Sequence, residues 1–177
     1  MDSVDERFLV TEPDLPGSVI EGSSITELLR PSVRITEEFL QGAVDRGDWC
    51  HVYKDGDEIA SYGWYSKAAV PLDDYFSVTY SREYTYMYRG YTATDYRGRK
   101  LHAFGMGAAL RHAVSRGDLG LISYVEGNNF ASLRSCKRLG YIVFGCCWVF
   151  RIFSINFSFR SPGCRNFDFK VEPGYQN

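Results

Sequence analysis

The segment 91–141 contains the residues whose types and order point most directly to chemistry. Within it, the sequence YRGRKLH places Arg97, Arg99 and Lys100 in one turn, directly before a stretch with helical periodicity. The first amides of a helix have no partners inside the helix and carry a partial positive charge. Three cations at such a position repel that charge unless an anion lies among them. The turn 97–102 therefore predicts a phosphate-binding site.

The residues after this turn predict a long helix, a strand and a second helix. The stretch 99–116 has apolar side chains at helical spacing, with Gly105 and Gly107 inside it. A glycine inside a helix costs roughly 1 kcal/mol relative to alanine, so two of them predict that another group approaches this face closely. Asn128 or Asn129 is placed to cap the second helix, which ends before Gly140.

Three tyrosines alternate along the strand that precedes the phosphate turn. Tyr84, Tyr86 and Tyr88 are two residues apart and therefore share one face of that strand. Such a face either packs inside the sheet or forms the wall of an aromatic pocket. The sequence leaves both interpretations open.

Length, composition and charge narrow the class of protein. A chain of 177 residues with 24% charged and 45% apolar residues predicts one globular domain, residues 1–177, with its own core. The net charge of −2 gives no global attraction to nucleic acid or to an anionic membrane. No uncharged apolar run reaches about 18 residues, so no membrane-spanning helix is expected. The acidic first residues do not have the pattern of a secretory signal.

Cysteine and histidine usage predicts neither disulfides nor a metal site. The five cysteines include no Cys-x-x-Cys pair, and the three histidines have no paired spacing. We interpret the cysteines as reduced thiols, which indicates a cytoplasmic protein. Without clustered ligands, no structural or catalytic metal is expected.

The rest of the pattern predicts a chain that mixes strands and helices, flanked by an irregular arm at 1–22 and an extension at 154–177. The predicted elements are helices at Ser24–Arg30 and Ile35–Arg46, strands at Trp49–Lys54 and Glu58–Lys67 around the hairpin signal Asp55-Gly56-Asp57, a loop at Ala68–Ser81, a strand at Arg82–Ala93, a helix at Arg99–Arg116, a strand at Leu119–Glu126, a helix from Asn128 or Asn129 to Arg138, and an apolar strand at Tyr141–Phe153. This order predicts the fold class α/β (α+β), a mixed sheet with helices on both faces.

This arrangement resembles the GNAT N-acyltransferase superfamily over roughly residues 35–153. Members of that superfamily have a first motif R/Q-x-x-G-x-G/A and a second motif N-x-x-A/S, which is followed by a small-aromatic pair. Here Arg97 begins the first motif, Asn129 and Ser132 stand in the second, and Gly140 and Tyr141 form the pair. The resemblance implies a mostly antiparallel sheet, with a splay between two central parallel strands.

The resemblance also implies the co-substrate, acetyl-coenzyme A or another acyl-coenzyme A, with no metal. The turn would wrap its diphosphate, and backbone groups at the end of the preceding strand, near Gly90, would pair with its pantetheine arm. The residues implied to bind it are Tyr91, Thr92, Arg97, Gly98, Arg99, Lys100, Leu101, His102, Asn129 and Ser132. Lys100 and His102 replace the small residues of the first motif. A neutral imidazole is expected at His102, because a helix start disfavours added positive charge.

Acyl transfer to an amine requires a base for the attacking nitrogen and an acid for the leaving thiolate. Glu126, at the end of the strand after the turn, is the preferred base. Tyr86 stands where some superfamily members carry a glutamate. Cys136 stands seven residues after Asn129, where many members place a tyrosine that acts as the general acid. The alternatives are Glu83, Asp73 and Asp74 as the base, and solvent or Tyr124 as the acid.

The sequence therefore predicts an N-acyltransferase that acts on a primary amine of small-molecule size. One alternative is a GNAT-like module that binds the cofactor or regulates but does not catalyse, as the replaced motif residues Lys100, His102 and Cys136 allow. Another is an enzyme whose donor is an acyl carrier protein, which shares the phosphopantetheine arm. No nucleic-acid or membrane partner is expected. The apolar final strands either form a homodimer or pack internally.

Overall fold

The computed structural model describes residues 13–21, 24 and 35–174. The elements are β1 (Gly17–Glu21), α1 (Glu37–Asp45), β2 (Trp49–Asp55), β3 (Glu58–Ser66), β4 (Val70–Pro71), β5 (Phe76–Thr79), β6 (Tyr84–Thr92), α2 (Leu101–Ser115), β7 (Gly120–Ser123), α3 (Phe130–Arg138), β8 (Cys147–Ile152), β9 (Ile155–Arg160) and β10 (Lys170–Pro173). The helix predicted at Ser24–Arg30 lies outside the described residues, apart from Ser24.

The chain divides into two compact units. The first comprises the described parts of Met1–Lys67 and Glu83–Tyr141, and the second the described parts of Ala68–Arg82 and Ile142–Asn177. That residues 1–177 form a single domain stays a prediction.

The first unit is built on a sheet with the strand order β1-β2-β3-β6-β7. Every neighbouring pair is antiparallel except β6 and β7, which are parallel. The hairpin between β2 and β3 turns at Gly56, whose φ of +55° suits glycine, as the Asp55-Gly56-Asp57 signal predicts. The predicted fold class is therefore confirmed.

Helix α1 covers one face of this sheet. Thr36 caps the start of the helix, because its Oγ1 accepts a hydrogen bond from the Phe39 amide at 3.2 Å. Its buried side chains, Leu40 and Ala43, pack against Cys50, Val52, Tyr62 and Trp64 of β2 and β3. Gly47, with a φ of +70°, follows the helix end, as predicted.

Helix α2 covers the opposite face of the sheet. Its buried side chains Ala109, Leu110 and Ala113 pack with Trp49, Tyr65, Met87 and Leu121. A Cβ atom placed on Gly105 would lie 3.2 Å from Nδ1 of His51 in β2. The group that approaches the glycine-containing face is therefore β2 of the sheet itself.

Sequence reasoning was wrong about residues 17–21, which belong to the predicted irregular arm. They form β1, which pairs with β2 from Gly17 opposite Tyr53 to Glu21 opposite Trp49. Local pattern missed this strand because its ladder is formed with a partner more than 25 positions away. Gly17 lies close to the aromatic ring of Tyr53, where a Cβ would be 2.7 Å from it.

The second unit combines a three-stranded sheet, in the order β10-β5-β4, with the hairpin β8–β9. Its strands β4 and β5 lie within the stretch 68–81 that was predicted to be a loop. The strand predicted over Tyr141–Phe153 is shorter, because residues 141–146 have no regular structure and β8 begins at Cys147. Hydrophobicity alone overextended that strand.

Among the described residues, no helix is long and apolar enough to cross a membrane.

Candidate active site

The parallel strands β6 and β7 separate halfway along β6. They pair from Tyr84 opposite Gly120 to Met87 opposite Ser123, where β7 ends. Strand β6 continues to Thr92, paired on its other side with β3. Within the described strands, residues 88–92 thus have a neighbour on one side only, as the predicted splay requires. The splay was expected between two central strands, whereas β7 is the last strand of the described sheet.

A β-bulge on β6 marks the point of separation. Trp64 of β3 lies opposite Arg89 and Tyr65 opposite Met87, so Tyr88 is an extra residue with no partner on β3. Bulges of this kind bend a strand, re-aim its groups and are frequent beside active sites. This bulge accompanies the divergence of β6 from β7.

Backbone alternation identifies which groups of β6 face the open edge. The Ala93 amide donates to the Ala60 carbonyl at 2.9 Å, so Ala93 faces β3. Antiparallel strands alternate their backbone groups between the two edges. Tyr91 therefore also faces β3, whereas the backbone groups of Gly90 and Thr92 face the splay. The Thr92 carbonyl accepts from Arg97 Nε at 3.4 Å, which agrees with this orientation.

The turn before α2 presents a row of amides. The first hydrogen bond of the helix runs from the Phe104 amide to the Lys100 carbonyl, so the amides of residues 101–103 precede the helical ladder. Gly98 and Lys100 have φ values of +82° and +58°. Alternation of left-handed and ordinary backbone turns successive amides into a concave, anion-binding nest. A lysine held in the left-handed region is strained, which is common at functional sites.

The cations of this turn lie on the surface around the amides. Residues 97–100 are all exposed. The Arg99 guanidinium lies over the Tyr96 ring, 5.1 Å from its centroid. A Cβ on Gly98 would have no neighbour within 4 Å. The turn therefore fits a diphosphate, because it combines the amides of residues 101–103 with nearby positive charge and open space.

His102 packs against the face of β6 at Gly90. A Cβ on Gly90 would lie 2.6 Å from His102 Cε1, so the glycine makes room for the ring. Side chains stand perpendicular to a sheet while backbone groups point along it, so His102 covers a face of β6 and leaves its edge open. Burial lowers the pKa of His102. Burial therefore favours the neutral imidazole that the sequence predicted at His102 from its position at a helix start.

His51 and His102 line the same narrow gap between the sheet and α2. Burial, followed by the positive charges of Arg111 and His112, lowers the pKa of His51 to about 4. Both histidines therefore stay neutral in the folded protein at pH values where the same two histidines of the unfolded chain would take up protons.

The stability of the protein should consequently fall as the pH drops below about 6.5. An unfolded histidine takes up a proton near pH 6.5 and folded His51 near pH 4, so the unfolded state binds more protons between these values. His51 alone should cost about 3 kcal/mol of unfolding free energy across this window. Urea denaturation at a series of pH values measures it. His51→Gln should reduce the slope, and an unchanged slope would contradict the assignment.

The predicted acid–base residues occupy three different environments. Tyr86 is buried in β6, where its ring stacks on Tyr88 with centroids 6.3 Å apart. Glu126 is exposed, three residues after the end of β7 at the splay. Cys136 is half-buried in α3, and burial raises the pKa of its thiol. Glu126 is thus the most accessible of the three.

The alternative carboxylates have structural surroundings. Glu83 lies just before β6, at the end away from the splay, and its carbonyl accepts from the Leu119 amide at 2.8 Å. Asp73 belongs to the second unit, where its Oδ1 accepts from the amides of Tyr75 and Phe76, both at 2.8 Å. Asp74 is exposed beside it.

The second motif forms the start of α3 and a contact with β7. The Asn129 side chain caps α3 by accepting from the Ser132 amide at 3.1 Å, as its helix-capping interpretation predicts. Tyr141 packs beside α2, and its hydroxyl accepts from Ser123 Oγ at 3.2 Å, at the last residue of β7. Burial raises the pKa of Tyr141 above its usual range. The motif therefore supports the strand that diverges from β6.

Sequence reasoning missed a buried polar group behind the bulge. Asp48 Oδ2 accepts from the Tyr88 hydroxyl at 2.9 Å and from Arg46 Nη2 at 2.7 Å and Nε at 3.0 Å. Burial, followed by the charge of Asp48, raises the pKa of Tyr88 above its usual range. Because Asp48 and Tyr88 are 40 residues apart, no local pattern could pair them. The one available signal was an aspartate directly before a buried strand.

Comparison with solved structures shows that the chain has the GNAT fold. A ribosomal-protein-alanine N-acetyltransferase from Brucella melitensis biovar Abortus 2308 aligns at a TM-score of 0.56 and 11% identity, over 78% of this chain and 99% of that one. The aminoglycoside acetyltransferase AAC(6')-Iy was solved with the bisubstrate analogue CoA-S-monomethyl-acetylneamine. It aligns at a TM-score of 0.54 and 11% identity, over 72% of this chain and 92% of that one. A metagenomic aminoglycoside acetyltransferase, solved with trehalose, aligns at 0.51 and 10%, over 70% and 85%.

Sequence comparison adds nothing to this: no protein-family model and no curated protein matches the chain. The resemblance noted from the motifs is therefore confirmed at the level of the fold.

Proposed function

We propose that this protein is an N-acyltransferase that transfers an acetyl or short acyl group from acyl-coenzyme A to a small-molecule amine. The observation that carries the proposal is a juxtaposition within the first unit. The free edge of β6 leads, within ten residues of chain, into the nest of amides at residues 101–103. Diphosphate-binding amides and an unpaired strand edge are what a long phosphopantetheine thioester requires.

Each part of this site has a distinct binding role. The amides of Leu101, His102 and Ala103 would hold the diphosphate, with Arg97 and Arg99 adding charge-assisted contacts. The edge-facing backbone groups of Gly90 and Thr92 would pair with the amides of the pantetheine arm. Tyr91 would contribute its ring, which stacks on Tyr62 with centroids 5.3 Å apart. Asn129 and Ser132 would support the far side through the start of α3.

Acyl-coenzyme A, when bound, supplies a thioester whose carbonyl is open to attack. The Gly90 or Thr92 amide at the open edge of β6 is a fixed donor that would stabilise negative charge as it develops on a carbonyl oxygen. We assign Glu126 as the base that takes a proton from the amine. Cys136, which its raised pKa keeps protonated at neutral pH, is the candidate proton donor, with Tyr124 or solvent as the alternative.

Support for a small-molecule acceptor comes from the aminoglycoside acetyltransferases among the structural neighbours. The free state of all five cysteines agrees with a reducing, cytoplasmic setting. The test is a thiol-release assay with pooled amines, including amino sugars, and several acyl-coenzyme A donors. Release that depends on both donor and amine is the expected result.

Glu126→Gln should lower kcat about tenfold near neutral pH without changing the KM for the donor. The loss should shrink as the pH rises, because the amine then loses its proton to solvent. Full pH–rate profiles of both enzymes measure this. Glu83→Gln, a matched change of an exposed carboxylate at the other end of β6, should leave the profile unchanged. An equal loss at every pH would exclude Glu126 as the base.

A non-catalytic module is the second candidate, and one observation favours it. Strand β6 carries no carboxylate between Tyr84 and Thr92, although some proteins of this type have a glutamate there. Saturable acetyl-coenzyme A binding without thiol release from any amine would select this candidate. Thiol release from an acyl carrier protein, with poor competition by free coenzyme A, would instead identify a carrier-protein donor.

A further inference from the structure

The β8–β9 hairpin of the second unit has one face made entirely of large apolar side chains. The register pairs Trp148 with Phe159, Phe150 with Phe157 and Ile152 with Ile155. Alternation along both strands places these six side chains on the same face. We call this the aromatic face. The Phe150 ring stacks on both Phe157 and Phe159, at 5.5 and 5.7 Å between centroids.

The opposite face of the hairpin is the one that its own unit covers. The Arg151 guanidinium lies over the Tyr75 ring, 4.0 Å from its centroid, and Asn156 Nδ2 donates to the Tyr75 carbonyl at 3.4 Å. Arg160 Nη1 donates to the Phe169 carbonyl at 3.1 Å. The hairpin therefore turns its polar side inward and its aromatic side outward, which reverses the usual arrangement of a half-buried sheet.

The aromatic face is exposed to solvent to an unusual degree. Trp148 and Phe159 are each 56% exposed and Phe150 is 43% exposed. Isolated exposed apolar residues need no explanation, but a contiguous patch of several hundred Å² marks an interaction site. The usual reason for such a surface is a partner that covers it.

We propose that the aromatic face binds the same face of a second copy of this chain. The four aromatic side chains each offer about 150–250 Å² when fully exposed. Trp148, Phe150 and Phe159 are about half exposed and Phe157 is less so, and with the two isoleucines added the face offers roughly 550 Å² per copy. Two copies would bury about 1,100 Å², which exceeds the roughly 1,000 Å² expected of a biological interface.

The chemistry of the face favours self-association over a lipid surface. None of its six residues is charged, so a two-fold arrangement opposes no like charges across the interface. Tryptophan and phenylalanine are the residues enriched in interface centres. A membrane-binding surface needs flanking cations, whereas Arg151 and Arg160 of this hairpin lie on its other face and are bound there. This inference does not depend on the proposed acyl transfer.

Two measurements on the full chain test the interface. Sedimentation equilibrium should show a dimer of the 20.2 kDa chain at tens of micromolar, which dissociates on dilution. Trp148 is the exposed tryptophan, since Trp49 and Trp64 are 4% and 0% exposed. Acrylamide should therefore quench its fluorescence less in concentrated than in dilute samples. A monomer at every concentration, with unchanged quenching, would overturn the proposal.

Variants locate the interface on the hairpin. Phe150→Glu and Phe159→Ser should each weaken dimerisation by at least about 100-fold. Phe153, at the hairpin turn between β8 and β9, provides the control. Phe153→Asn removes an exposed aromatic ring and suits the local φ of +55°, so the dimer should persist. Circular dichroism checks folding, and if Phe150→Glu unfolds, Phe159→Ser decides.

Three outcomes of the variant and vesicle experiments would also overturn the proposal. The first is a dimer that survives in both folded face variants, and the second is a dimer that Phe153→Asn abolishes equally. The third is a monomer that co-sediments with phosphatidylcholine vesicles, which would assign the aromatic face to a lipid surface instead.

Discussion

Gly98→Asp should weaken the binding of acetyl-coenzyme A by at least about 100-fold, corresponding to about 2.7 kcal/mol. Gly98 lies two residues before the helical cap at Lys100, in open space and with a φ of +82°. A carboxylate there would stand within a few ångströms of a diphosphate held by residues 101–103. Like charges at about 4 Å, in an environment of intermediate dielectric, repel by several kcal/mol, which exceeds the predicted loss.

The matched variant Gly98→Asn separates charge from backbone strain. Aspartate and asparagine have nearly the same size, and both tolerate the left-handed region better than other side chains. Any cost of positive φ is therefore common to the two variants, and the difference in their affinities is the electrostatic effect. Isothermal titration of acetyl-coenzyme A into each variant measures it, and repetition at higher salt should shrink the difference.

Gly117→Asp controls for the added charge itself. Gly117 also has a positive φ, +94°, and open space around it, but it follows the opposite end of α2. The helix spans about 22 Å from its 15 residues, beyond the screening distance in ordinary buffers. The affinity of the Gly117→Asp variant for acetyl-coenzyme A should match that of the parent protein. Equal affinities for Gly98→Asp and Gly98→Asn would move the diphosphate site away from this turn.

The parts of the site that sequence could predict are those built from consecutive residues. The turn at residues 97–102 and the cap at Asn129 depend on local backbone geometry, and glycine, arginine and asparagine identities report that geometry directly. The hairpin at Gly56 and the end of α1 at Gly47 were predictable for the same reason: their φ values of +55° and +70° suit glycine.

The parts that sequence could not predict depend on contacts between distant residues. Strand β1 exists only because it pairs with β2, and the contact of His102 with Gly90 requires α2 to lie across β6. The three alternating tyrosines of β6 are a further case. Tyr88 proved to be a bulged residue anchored by Asp48, which neither alternation nor propensity encodes.

Asp48→Ala should lower the unfolding free energy by about 3 kcal/mol. The Asp48 side chain is fully buried, and its Oδ2 is the acceptor shared by Tyr88 and Arg46. Removing it leaves the half-buried Tyr88 without the acceptor of its hydroxyl and the Arg46 guanidinium without its counter-charge. Losses of buried ion pairs reach about 3–5 kcal/mol, and the lower value applies because Arg46 is 20% exposed and can turn toward water.

Two further variants separate the charge from the hydrogen bonds. Asp48→Asn keeps an acceptor for Tyr88 but loses the charge that pairs with Arg46, so its cost should lie between those of the parent and Asp48→Ala. Tyr88→Phe should cost about 1–1.5 kcal/mol, since it removes the bond to Asp48 and the longer bond from Arg46 Nη2, at 3.4 Å, and leaves the ion pair. Combining Tyr88→Phe with Asp48→Ala should cost less than the sum, because both remove the same bond.

The same variants connect stability to the proposed site. Tyr88 is the residue at which β6 leaves β7, so its anchor to Asp48 holds the backbone that continues to Gly90 and Thr92. Folded Asp48→Asn protein, studied well below its unfolding midpoint, should therefore bind acetyl-coenzyme A more weakly than the parent. Gln41→Ala, an exposed change in α1, should affect neither quantity. Lost stability with unchanged affinity would mean that Asp48 supports the core alone, and that the open edge of β6 keeps its shape without this anchor.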